Sequence, residues 1–145
     1  RPSVAQSARD YWILGTINNA SGFPASVTMV DVARITTTGG VRSAYVETFY
    51  SPEQRNGLRR LSAITELDCS GRRLRTLTIN AFYSGSSSPS TVPGDGNWGA
   101  IRPNTAGEAT WNFVCSSNQQ RAANPVLFHL GNNEPQGAAD LLFGR

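Results

Sequence analysis

Residues 61–83, LSAITELDCSGRRLRTLTINAFY, decide the fold. Two β-like runs, 61–69 and 72–83, are separated only by Ser70-Gly71, and a two-residue connection containing Gly is a hairpin signal. Thr76, Thr78 and Ile79 favour strand, and Arg73 and Arg75, two positions apart, project together from one face of it. Upstream, Val41–Tyr50 is the plainest strand of the chain. Val41, Ser43, Tyr45, Glu47 and Phe49 fall on one face; Arg42, Ala44, Val46, Thr48 and Tyr50 fall on the other.

Working outward, residues 11–15 (YWILG) form an apolar run of strand length, broken over 18–24 by Asn-Asn, Ser-Gly and Pro. Residues 27–31 (VTMVD) read as the next strand, with a short continuation over 32–35 and a turn over 36–40 centred on Gly39-Gly40. Residues 51–60 are polar and suit a turn of helix, and 84–97 form a long loop dense in Ser, Pro and Gly. Thr105-x-x-Glu108 then fits a capping box, in which the Thr oxygen accepts from an amide of the first turn and the Glu reaches back. It opens a helix with Trp111, Val114 and Cys115 on one face. An α+β fold follows, an antiparallel sheet packed on a helix.

Composition agrees. A chain of 145 residues makes about one domain, large enough to bury roughly two-thirds of its unfolded surface. Charged residues make up 16% of the chain, against roughly 25% in an average soluble domain. Gly, Ser, Thr, Asn and Pro fill the difference, which suits strands and turns better than a helical bundle. All 13 basic residues are Arg, and a net charge of +3 is too mild for a nucleic-acid-binding signature. No stretch approaches the roughly 18 apolar residues of a membrane-spanning helix. The chain opens on Arg1-Pro2-Ser3 rather than Met, as a mature exported protein does once its signal peptide is removed, and as any excised piece does.

The two cysteines, Cys69 and Cys115, cannot make a four-ligand zinc site, and the single His129 stands outside any ligand spacing, so no metal is expected. A disulfide is the simpler reading; two buried free thiols are the alternative. A disulfide would stabilise by about 4 kcal/mol in the chain-entropy model and would place the chain in an oxidising compartment. His129 has no Ser, Cys or carboxylate constellation around it, and no phosphate loop or paired-carboxylate motif appears. Neither a catalytic residue nor a cofactor is expected.

Two groups of residues are candidates for binding. Arg59, Arg60, Arg72, Arg73 and Arg75, with Arg55 nearby, either grip phosphates, sulfated glycans or acidic partners, or form a wet strand face with ion pairs to residues such as Glu66 and Asp68. The second group lies near the C-terminus: Val126, Leu127, Phe128 and Leu130, then a polar link, then Leu141, Leu142 and Phe143. These knots either fold back on their own domain or engage a neighbouring subunit as a donated strand or groove-binding segment. Of the three tryptophans, Trp12 and Trp111 belong to the core by their positions, while Trp98, beside the Gly-rich loop, is the exposed one.

Taken in order, these residues resemble the surface-adhesin protein E family of proteobacteria. The matching elements are the opening strand with Trp12, Met29-Val30-Asp31, a Gly-Gly turn and strand, and Leu67-Asp68-Cys69 followed by Arg72, Arg73 and Arg75. Trp98, Ile101-Arg102-Pro103, Glu108 and Val114-Cys115 complete the pattern, which spans residues 11–116. The resemblance implies a curved antiparallel sheet packed on a helix, a disulfide between Cys69 and Cys115, and export. The family's best-known member binds host matrix and plasma proteins, but nothing here matches a host-binding segment. The expected organisation is an extended segment over 1–10, a domain over 11–117 and an extension over 118–145. The expected role is a non-enzymatic binding or assembly subunit of the bacterial cell envelope, extracytoplasmic, in the periplasm or at the outer-membrane surface. It would act through protein partners, either other envelope subunits or copies of itself, and not through nucleic acid. The alternative is a soluble adhesin or anionic-glycan-binding module using the Arg-rich strand.

Overall fold

The computed structural model describes residues 8–53 and 56–144. Arg55 and most of the expected extended segment lie outside the described residues. In chain order the elements are β1 (Tyr11–Asn18), β2 (Pro24–Asp31), a 3-10 turn (Val32–Arg34), β3 (Thr36–Thr38), β4 (Val41–Tyr50), β5 (Leu58–Asp68) and β6 (Arg73–Tyr83). They continue with β7 (Ser90–Pro93), β8 (Gly99–Ala100), α1 (Ala106–Val114), α2 (Asn118–Ala123), β9 (Phe128–Gly131) and α3 (Pro135–Leu142). The main sheet runs β7-β6-β5-β4-β2-β1-β9, with β3 beside β4 and β8 beside β6. Every pairing is antiparallel.

The central hairpin forms as its sequence predicts, from Leu58↔Tyr83 to Asp68↔Arg73. Its connection has four residues, 69–72, rather than two. The Cys69 amide donates to Gly40 O at 3.0 Å instead of across the hairpin. The Asp68 carboxylate organises the turn, accepting from Ser70 Oγ at 3.1 Å and the Gly71 amide at 2.9 Å. A Cβ on Gly71 would fall 2.5 Å from Asp68 Oδ2, so a side chain there would push away the carboxylate that organises the turn. Arg72 then takes a left-handed φ of 49° to enter β6.

Other boundaries depart from the sequence reading for local reasons. The expected strand continuation over 32–35 is a 3-10 turn, because the Asp31 side chain caps it by accepting from the Ala33 amide. Thr36–Thr38 pairs with β4, leaving the turn to Gly39, which has a φ of 62°. Residues 52–53 form a turn and the next strand begins at Leu58, where a turn of helix was expected. The Ser/Pro/Gly-rich loop contains the edge strand β7.

Two cores lie on opposite faces of the sheet, as period-two alternation requires. Trp12, Leu14, Val30, Ala44 and Leu67 pack with Phe113 and Val114 of α1. Tyr11, Val27, Met29 and Phe49 pack with Ala139 of α3. The β4 residues divide as expected, with Ala44 and Val46 toward α1 and Phe49 toward α3. A disulfide joins Cys69 to Cys115, with Cα atoms 5.6 Å apart, so the free-thiol alternative falls.

Candidate binding surface

The Arg-rich strand is charge-balanced residue by residue. Arg59 lies 3.5 Å from Asp140, Arg60 3.3 Å from Glu47, Arg72 3.3 Å from Glu108, Arg73 2.9 Å from Asp68 and Arg75 2.6 Å from Glu66. Hydrogen bonds from Arg73 and from the Gly71 amide hold the Asp68 carboxyl below the usual carboxylate range. Trp98 is half-buried, with the Arg73 and Arg75 guanidinium groups 4.6 Å and 4.5 Å from its ring. Each of the five arginines already has a carboxylate beside it, which offsets its charge toward an external anion.

Sequence reasoning missed two further arginines and one buried acid. Arg42 donates to Val114 O at 2.7 Å and Ser116 O at 3.1 Å, and buried Arg121 donates to Phe113 O at 2.9 Å. Together they hold the C-terminal carbonyls of α1, which have no partner inside the helix. Burial, and then the nearby Arg42 charge, push the Arg121 guanidinium below its ordinary value. Glu47, only 2% exposed, accepts from the Tyr11 hydroxyl at 2.6 Å and pairs with Arg60. Burial first, then this hydrogen bond, drive the Tyr11 hydroxyl well above its ordinary pKa. A polar group at an otherwise apolar strand position was the available signal for Glu47. Nothing local marked Arg42 and Arg121.

The C-terminal residues singled out in the sequence converge on β1. Strand β9 adds to the sheet edge over three residues, Tyr11↔Gly131, Trp12↔His129 and Ile13↔Phe128. His129 stacks on Trp12 with ring centroids 4.2 Å apart and bonds through Nε2 to Asp10. It is a fastening for β9. Leu127 packs against the α1-face core, and Leu130 and Phe143 against the α3-face core. Val126, Phe128, Leu141 and Leu142 remain exposed, Leu141 by 74%.

Phe128, Leu130, Ala138, Leu141 and Leu142 combine with Ile13 of β1 to line an open apolar cleft of about 400 Å³. Across the sheet a second cleft of about 340 Å³ lies between α1 and β1, lined in part by Gly15, Ile17, Ala106 and Ala109. Between them runs the part of β1 that β9 does not reach, residues 14–18, with Ile17 67% exposed. The sequence carries no charged residue from Tyr11 to Val30. That uncharged stretch, with Ile17 beyond Gly15, was the signal for the β1 half of this surface.

The family model of surface-adhesin protein E matches residues 19–116. The chain belongs to the surface-adhesin protein E family. No curated protein and no solved structure matches it. As a surface-adhesin E protein it has a family background of extracytoplasmic binding, which implies a non-enzymatic role. The family and the disulfide together point to an extracellular or envelope location. No helix among the described residues is long and apolar enough to cross a membrane. Strand β1 and everything after Ser116 fall outside the matched stretch, so the α3-side cleft is lined wholly by residues beyond the match, and the α1-side cleft joins β1 to matched residues of α1.

Proposed function

We propose that this adhesin-family domain is a binding or assembly subunit of the cell envelope that engages protein partners through the apolar surface of β1, β9 and α3. A single observation carries the reading: the five candidate arginines are each paired with a carboxylate, while Leu141, Phe128 and Ile17 stand exposed around an uncharged sheet edge. Exposed apolar clusters rimmed by polar surface mark sites of protein contact. The disulfide-closed sheet behind them supplies a rigid platform, which limits the ordering cost of binding. Location in the periplasm or at the outer surface, and partners among envelope subunits or copies of itself, belong to the same proposal. The alternative, anionic glycan binding by Arg72, Arg73 and Arg75, would act through guanidinium groups whose charge is already offset by Glu108, Asp68 and Glu66.

A photo-crosslinking residue at Leu141, compared with one at Arg75, separates the two readings. Irradiation in the intact envelope should give a discrete protein adduct from position 141 and none from 75. Adducts from 75 alone, or heparin binding abolished by Arg72→Gln/Arg73→Gln/Arg75→Gln, would transfer the function to the Arg strand.

A further inference from the structure

One motif of the chain plays no part in the binding surface. Asn19-Ala20-Ser21 is an Asn-x-Ser triad with x other than Pro, and no other Asn in the sequence has Ser or Thr two positions on. That spacing is what an N-glycosylating transferase reads, with the asparagine amide as acceptor and the hydroxyl two residues on as the recognition group. The added sugar is bulky and hydrophilic, so an acceptor must stand on a surface loop.

The triad stands in such a place. Residues 19–23 join β1 to β2, and Asn19, Ala20, Ser21, Gly22 and Phe23 are all exposed, Phe23 by 69%. Gly22 takes a φ of 85°, and a Cβ built on it meets nothing within 4 Å. The turn holds the Asn19 carboxamide by its oxygen: Oδ1 accepts from the Ser21 amide at 2.9 Å and from the Phe23 amide at 3.1 Å. Two backbone bonds, Asn19 N to Phe23 O at 2.7 Å and Gly22 N to Asn19 O at 3.0 Å, close the loop around it. Asn side chains commonly bond the amide two residues on in this way. Among the described residues nothing bonds Asn19 Nδ2 or Ser21 Oγ, so the acceptor nitrogen and the hydroxyl of the triad are both open to an enzyme.

We propose that Asn19 is a site of N-linked glycosylation, modified from a glycosyl diphosphate donor. An amide nitrogen is a poor nucleophile because its lone pair is shared with the carbonyl. Hydrogen bonds to Oδ1 stabilise negative charge on that oxygen and so ease the loss of a proton from Nδ2. In the transfer Nδ2 gives one proton to a base of the transferase and bonds to the anomeric carbon. The bond from that carbon to the diphosphate oxygen breaks, and the diphosphate leaves with the electron pair; nothing is oxidised or reduced. The product keeps Oδ1, so both side-chain bonds that shape the turn survive. Phe23 adds a second reason. Its ring stands in water on the residue that closes the turn on Asn19, and a sugar beside it would cover apolar surface with its own C–H face. The tip lies at the end of β1 away from β9, apart from the partner surface at Phe128.

Mass measurement of the chain purified from the cells that make it tests the site. Cleavage after Arg9 and Arg34 releases peptide 10–34, which should carry one or more hexose or N-acetylhexosamine residues on Asn19. Asn19→Gln and Ser21→Ala should each lose the added mass completely, whereas Ser21→Thr, which keeps the hydroxyl, and Asn18→Gln should retain it. Ser21→Ala removes only an unbonded hydroxyl, so circular dichroism should show its sheet intact. The same peptide from chains held in the cytoplasm separates the donors: sugar there marks a nucleotide-linked diphosphate, and sugar only after export a lipid-linked one. An unmodified peptide 10–34, an increment on another residue, or one that survives in Ser21→Ala overturns the inference.

Discussion

The two faces of the sheet are closed by different means. Helix α1 is fastened: a disulfide holds its end, Trp111 Nε1 donates to Asp68 O at 2.9 Å, and Arg42 and Arg121 grip its last carbonyls. Helix α3 is laid on, with Ala139 buried in the core beneath it and, among the described residues, a single partly exposed ion pair, Arg59 with Asp140, beside it. Such pairs contribute about 1 kcal/mol or less. Helix α1 turns Phe113 and Val114 into the core and leaves Ile17 of β1 exposed beside it, whereas α3 itself leaves Leu141 and Leu142 in the open. One helix is thus held by covalent and polar fastenings, the other by packing alone with exposed leucines along it.

The largest test of that division is the cross-link. Cys69→Ala with Cys115→Ala should lower the unfolding free energy by about 4 kcal/mol, the chain-entropy value for this loop, read by urea denaturation. A loss near zero would mean that the arginine clasp and packing alone hold α1, and the contrast between the faces would collapse.

Next is the buried acid beneath the α3 face. Glu47→Ala should cost about 3 kcal/mol, because it leaves Arg60 and the Tyr11 hydroxyl without their shared partner. Glu47→Gln, which keeps an acceptor for Tyr11, should cost less. Equal losses would show that the charge alone matters and that the Tyr11 hydrogen bond adds nothing.

The smallest effect depends on pH and lies at the fastened end. Asp68 titrates below its unfolded value in the folded state. Its contribution is therefore complete above the unfolded pKa and is lost as pH falls below that value and through the folded one. Wild type should lose thermal stability over this window more steeply than Asp68→Asn. Parallel curves would remove the Asp68 turn from the account of this corner.

Much of the sheet was legible because its signals are local. The alternation in Val41–Tyr50 sorts Ala44 from Phe49 without any knowledge of the helices they meet. The ion pairs of Arg73 and Arg75 with Asp68 and Glu66 were readable because those residues face each other across one hairpin. The capping of α1 was half legible: Thr105 accepts from the Glu108 amide at 3.2 Å as expected, but Glu108 reaches back to the Asn104 amide, one residue beyond the cap. Ser117 and Gln120 form a full capping box for α2, a local signal in a stretch read only as polar. The partners of Arg59, Arg60 and Arg121 were not readable, since each pairing depends on how separate elements are brought together.

The sequence alone determined which residues alternate, where the chain turns, and that two cysteines and an uncharged opening strand had to be accommodated, because these follow from side-chain period and backbone preference. Only the tertiary structure decided that β9 would pair with three residues of β1, Tyr11–Ile13, and no further. Trp12 and His129 meet from opposite ends of the chain, so their contact depends on how the whole intervening sheet is arranged and on the turn at Asn124 that sets where the returning strand can reach.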